Sequence, residues 1–218
     1  MTTKITMDEM VQNIISIWKL SSPQEKRDGL VWYIEAHKAS QEIGLKHGLP
    51  THMVAGVISA LSPNNKWETN IQNADDLIRG FIDGQDIDYW LGYLRETDGE
   101  KGIATYRQNS DKAWRMLTDQ PDYQAMKVML NGQKTISFYE CIMGEDACCI
   151  DGHARNIAYL ERVNLTDNKS GIGKKEYAML QDAYRMAAKK LRYQNKRLKA
   201  YELQAVTWET WRRIHGIK

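Results

Sequence analysis

Two short stretches of the chain carry residues able to do covalent chemistry at a carbon centre. The first is Leu130-Asn131-Gly132-Gln133-Lys134-Thr135-Ile136, in which Lys134 follows a glycine turn. The second is Cys148-Cys149-Ile150-Asp151-Gly152-His153-Ala154-Arg155, where an apolar run gives way to Asp151, seventeen positions after the lysine. A primary amine and a carboxylate near one reacting centre suit attack on an acetal-type carbon such as a sugar C1′. The amine is the nucleophile; the carboxylate accepts protons and stabilises developing positive charge. Each residue also has an ordinary reading. Lys134 alone is a surface lysine after a turn, and Asp151 before glycine at a helix start is a common N-cap.

Helices must position these groups. Lys134 is expected in the first turn of a helix, near the positive end of its dipole, where a second positive charge is disfavoured. Asp151 is expected to open another helix as it emerges from the apolar Ala147-Cys148-Cys149-Ile150. His153 then faces either a backbone carbonyl or a phosphate. Upstream, Ser62-Pro63-Asn64-Asn65 is a turn of small polar residues after a buried helix. It is either a plain connection or a presentation of Asn64 or Asn65 to a DNA duplex, as a wedge or a base contact. Trp67 is core or a stacking surface. Trp208 and Trp211 share a face of the last helix, which suits core packing, with Gln204 a turn away.

The rest of the pattern is helical. Met7 to Leu20 places apolar residues near one face, and Ser22-Pro23-Gln24-Glu25 combines an N-cap, a first-position proline and a capping-box glutamate. That helix is expected to run to about His47. Thr51 is expected to cap an apolar helix over Met53 to Leu61, and Trp67 to Gly80 is helical. Short helices are expected over Asp111 to Leu117, Asp122 to Leu130 and Lys134 to Met143, and long ones over Glu176 to about Tyr193 and Lys199 to His215. Polar loops are expected at 84–88, 99–107 and 164–173. No segment alternates apolar and polar residues as a strand would. The expectation is an all-α fold of roughly ten helices: one domain over 1–218, with two lobes and a cleft between them.

Composition sets limits. Lys and Arg total 30 against 28 Asp and Glu, a formal net charge of +2, which by itself implies no partner. The distribution is uneven. Arg185, Lys189, Lys190, Arg192, Lys196, Arg197 and Lys199 face few acids, and Arg212, Arg213 and Lys218 follow. Such a run is a solvated helix face or a nucleic-acid footprint. Cys141, Cys148 and Cys149 make neither a disulfide framework nor a metal-binding pattern, and suggest a reducing compartment. No cofactor or metal is expected, and neither a membrane span nor a signal peptide is visible. A monomer in the cytoplasm is the expectation.

Taken in order, these motifs resemble the helix-hairpin-helix DNA glycosylase superfamily, the group that includes endonuclease III. Leu61-Ser62-Pro63-Asn64 stands where that family has a Leu-Ser-Ala-Gln-like turn, and Asn70 to Ala74 resembles the Asn-Lys-Ala that follows. Leu130 to Ile136 resembles the hairpin Leu-Pro-Gly-Val-Gly-x-Lys-Thr-Ala, shortened by two residues and without the second glycine. Ile150-Asp151-Gly152-His153-Ala154 resembles the strip Val-Asp-Thr-His-Val. The family's C-terminal cluster cysteines are absent.

The resemblance covers about Val54 to Leu160, with the hairpin at about 122–143, the catalytic strip at about 147–160 and C-terminal helices at about 176–215. It implies that Lys134 is the amine nucleophile and Asp151 the carboxylate. It implies duplex DNA with a flipped base as partner, with Asn64 near the base-flipping wedge; Asn65, Trp67, Gly132, Gln133, His153 and Arg155 are further candidate contacts. The basic run adds Lys189, Lys190 and Arg192 as backbone contacts. The chain also looks like a bacteriophage-type branch, one line of which joins amines to a modified thymine. A DNA hypermodification transferase acting on a modified thymine, or a non-catalytic DNA-binding or anti-defence protein on the same fold, are therefore the alternatives to base excision, and a phage-encoded chain would work in the host cytoplasm.

Overall fold

In a computed structural model, residues 5–97, 103, 106–163 and 171–217 are described. The polar loops expected at 99–107 and 164–173 fall mostly outside these, as does Lys218. The described residues are mostly helical, with eleven helices and a single two-stranded sheet, so the fold is all-α in character.

The chain divides into two compact units. The first joins residues 1–35 to 144–218; the second is the continuous stretch 36–143. The first holds α1 (Met7–Leu20), the start of α2 (Pro23–His47), α9 (Gly152–Tyr159), α10 (Lys174–Lys190), β1 (Arg192–Tyr193), β2 (Lys196–Arg197) and α11 (Ala200–His215). The remainder of α2 belongs to the second, with α3 (Thr51–Leu61), α4 (Trp67–Ile82), α5 (Ile87–Thr97), α6 (Arg107–Asp119), α7 (Tyr123–Leu130) and α8 (Gln133–Ile142).

In the first unit α1 lies against α9, α10 and α11. Its buried face is Met10, Val11, Ile14, Ile15, Ile17 and Trp18. A capping box starts it: Thr6 Oγ1 accepts from the Glu9 amide, and Glu9 accepts from the Thr6 amide. Ser22 and Glu25 make the same reciprocal pair at the start of α2. There Gly29 sits so close to the Val206 backbone that an added Cβ would lie 2.6 Å from Val206 Cα. Distant parts of the sequence are joined by Thr210 Oγ1, which donates to Ser21 Oγ at 2.7 Å, and by Arg213, which donates to Glu25 at 2.6 Å.

The second unit is built around α3. Residues Met53 to Leu61 are buried without exception, and α4, α6, α7 and α8 all pack on this helix. A helix apolar on every side is what such central placement requires. Gly56 lets Met126 of α7 approach closely. Polar groups are also enclosed: Asn70 donates to the Ile58 carbonyl at 3.0 Å.

The boundaries depart from expectation at several points. Thr51 lies inside α3 rather than capping it; Pro50 is the N-cap and contributes no side-chain hydrogen bond. Helix α6 begins at Arg107 and α10 ends at Lys190. Beyond α10 the chain forms a hairpin, not a continuation of the helix to Tyr193.

Candidate functional site

In the second unit, α7 and α8 are joined through Asn131 and Gly132 alone. Asn131 closes α7 in the left-handed conformation, φ 51°, and its amide bonds back to the Lys127 carbonyl. Lys112 of α6 donates to the Leu130 carbonyl at 2.9 Å, satisfying one of the acceptors that a helix end leaves open. Gly132 is the N-cap of α8 in extended conformation and offers no side chain to the first amides. Gln133 is therefore the first residue of α8 and Lys134 the second, with the lysine exposed. Thr135 Oγ1 donates to the Gly132 carbonyl at 3.0 Å, which tightens the turn.

The asparagine turn belongs to the same unit. Asn64 is exposed in the left-handed region, φ 59°, and donates to the Tyr106 hydroxyl at 2.9 Å. Asn65 turns inward, its amide reaching the Leu61 carbonyl at 3.5 Å. Trp67, half-buried at the start of α4, meets Phe138 of α8 edge to face, with ring centroids 6.4 Å apart. Phe138 lies one helical turn after Lys134 on the same face. This contact brings the asparagine turn and the lysine helix together.

Asp151 lies in the first unit. It is the N-cap of α9, and Oδ1 accepts from the Ala154 amide at 2.8 Å. Its second oxygen, Oδ2, accepts from the indole Nε1 of Trp208 at 2.9 Å. Both carboxylate oxygens are thus held, one locally and one from α11. The residues before it, Ala147 to Ile150, are buried, and the Ile150 amide donates to the Tyr177 hydroxyl at 3.1 Å. Around the carboxylate, His153 meets Trp208 edge-on at 6.0 Å, and the Arg212 guanidinium lies 4.4 Å from the Trp208 ring centre. A turn further on, the rings of Trp211 and His215 are 4.0 Å apart. Burial, with Arg162 and His153 nearby, holds the His215 imidazole below its ordinary pKa.

Arg155 is engaged by Glu176 at 2.8 Å and lies over the Tyr159 ring. Lys189 and Lys190, in the last turn of α10, and Arg192, in β1, are exposed. Burial pushes the Cys148 thiol well above the usual thiol range, so it stays protonated and unreactive. Among the described residues no group of three or more His, Cys, Asp and Glu could hold a metal ion, and no helix is long and apolar enough to cross a membrane.

Sequence reasoning assigned Trp208 to packing and missed its bond to Asp151, since nothing local links residues 57 positions apart. It also gave no role to Phe138 or Lys112. Gln204 does not stand free: it accepts from the Tyr33 hydroxyl at 3.3 Å and is buried.

A model of a family of unknown function, DUF7178, matches residues 1–215. The chain belongs to DUF7178. The match spans residues of both units. No curated protein and no solved structure matches this DUF7178 chain.

Proposed function

We propose that the protein is a DNA base-processing enzyme of the helix-hairpin-helix glycosylase type, acting at the glycosidic bond of a flipped, modified base. Lys134 is the amine nucleophile and Asp151 the carboxylate. The observation that carries the reading is the aromatic pair Trp67–Phe138 one helical turn from an exposed lysine. An amine beside aromatic faces suits a nucleotide, whose base stacks while its sugar carbon is attacked. The two-residue connection before α8 supports it, as does the half-buried, doubly held carboxylate of Asp151.

In this scheme the neutral Lys134 amine attacks C1′. The C1′–N bond breaks and its electron pair leaves with the base nitrogen, which takes up a proton. Asp151 is assigned as the carboxylate that stabilises the oxocarbenium-like state, and the proton released by the amine passes to solvent. Ring opening of the sugar then gives an iminium linking Lys134 to C1′. The partner is duplex DNA, bound by a monomer in the cytoplasm, and the chemistry calls for no cofactor.

Borohydride trapping tests the scheme. Reduction should leave a covalent adduct between the protein and abasic or modified-base DNA, lost in Lys134→Ala. An absence of adduct across a panel of modified bases removes the iminium step. If DNA from expressing cells instead carries bases of increased mass and no abasic sites, the site transfers groups rather than excising bases.

A further inference from the structure

Beyond α10 the chain forms a compact cationic element. Lys189 and Lys190 end the helix, and Arg192, Lys196 and Arg197 follow on the two strands. All five are exposed. Among the described residues none of the five takes part in an ion pair, whereas Arg79, Arg107, Arg155, Arg185 and Arg213 are each paired with an acid. The sequence from Ala183 to Tyr201 contains no Asp or Glu to neutralise them.

The register concentrates the charge. Arg192 stands directly opposite Arg197, and Tyr193 opposite Lys196. Like charges facing each other across an antiparallel pair destabilise it, so packing does not explain this choice. The hairpin is nevertheless well rooted. Leu191 and Tyr193 pack on the core of the first unit, Tyr193 meets Trp18 edge-on at 6.1 Å, and Leu198 is buried just after β2. Gln194 and Asn195 form the two-residue turn, both in the left-handed region at φ 48° and 66°.

We infer that this hairpin is a docking element for the phosphate backbone of duplex DNA, with the facing Arg192 and Arg197 sharing one phosphate and Lys189, Lys190 and Lys196 neutralising its neighbours. Guanidinium groups suit phosphate because their planar forks donate two hydrogen bonds at once. A bound phosphate also relieves the repulsion between the facing arginines. A membrane surface is the poorer fit: the tip is Gln194-Asn195, with no apolar side chain to enter lipid. The inference rests on the DNA partner of the proposed function and not on the chemistry at Lys134.

The test is fluorescence anisotropy of the full chain on an undamaged duplex, over roughly 50–200 mM salt. The logarithm of affinity should fall linearly with the logarithm of salt concentration. The Arg192→Gln/Arg197→Gln pair should lower that slope by roughly 0.9, the contribution of the one phosphate the two arginines share. Arg192→Glu should weaken binding further while leaving the melting temperature unchanged or raised, because it sets opposite charges across the strands. A merely structural arginine would give the reverse. Arg192→Lys/Arg197→Lys should keep most of the slope.

An unchanged slope in the Gln pair overturns the inference, as does a wild-type chain that binds no duplex at the lowest salt. Hairpin-dependent binding to phosphatidylserine vesicles in place of DNA overturns it equally. A hairpin-dependent slope without borohydride trapping sinks the glycosylase chemistry alone, and trapping without a hairpin-dependent slope sinks the docking element alone.

Discussion

Helix α8 starts on Gly132, which leaves its first amides without a side-chain cap, and carries a lysine at its second position. Helix α9 starts on Asp151, whose two oxygens are taken by the Ala154 amide and the Trp208 indole. The contrast is between a helix start that gives up local stability and one that supplies it. A carboxylate at an N-cap contributes to stability whether or not it does chemistry, since it satisfies open amides and complements the helix dipole. A cation in the first turn does the opposite. The presence of Asp151 therefore says little about catalysis by itself, while a lysine in the first turn of a helix is disfavoured by the helix dipole.

The largest expected effect comes from removing the capped side of this comparison. Asp151→Ala should lower unfolding free energy by about 1–2 kcal/mol, the sum of a lost cap and an indole left without its acceptor. Urea denaturation measures it, and Asp151→Asn, which keeps one of the two acceptor oxygens, should lose roughly half as much. A full-sized loss in the Asn variant would mean that charge, not the hydrogen bond, dominates at this helix start.

Trp208→Phe comes next, at about 1 kcal/mol for the lost donor. In the double variant with Asp151→Ala the two losses should fall short of additive, because they share one bond. Simple additivity would show that the indole stabilises through packing alone.

The bare side should respond weakly. Lys134→Ala is expected to shift stability by no more than about 0.5 kcal/mol, as for other exposed substitutions, while abolishing trapping. Gly132→Ser should stabilise by roughly 0.3 kcal/mol by supplying a cap. An added Cβ there would lie 2.9 Å from the Thr135 hydroxyl, which must shift slightly, and 3.8 Å from the Leu130 carbonyl oxygen.

The smallest effect concerns pH. The folded chain holds His215 below its ordinary pKa, so the unfolded chain binds more protons in that range. The contribution of neutral His215 is complete above the unfolded value near ~6.5 and is lost as pH falls through the folded value. Stability of His215→Gln should therefore decline less steeply below pH ~6.5 than that of the wild type. Equal slopes in the two proteins would rule His215 out as a source of acid sensitivity.

Elements written in local pattern were legible in the sequence. Met7–Leu20 has an apolar face and a Thr-x-x-Glu start, and both of its ends fall where expected. The lysine turn was also legible, because Asn-Gly between two apolar runs stops one helix and starts another. The hairpin at 192–197 was not: strands of two residues are too short to show alternation, and its tyrosine continues the apolar spacing of α10. Nor were the partners of the site. The Asp151–Trp208 and Trp67–Phe138 contacts join segments 57 and 71 positions apart, and only packing fixes such pairs.

The order of the units along the chain has a consequence for synthesis. The second unit is continuous, and its central helix α3 finds α4, α6, α7 and α8 within the next eighty or so residues. Helix α1 emerges first, yet its partners α9, α10 and α11 emerge last. Its apolar face, Ile14 and Trp18 included, must therefore wait on the ribosome while the middle of the chain is made. During that interval α1 is an amphipathic segment whose apolar face has none of these partners to cover it. Moving α1 to follow α11 in a circular permutant would remove the wait and should reduce aggregation during synthesis.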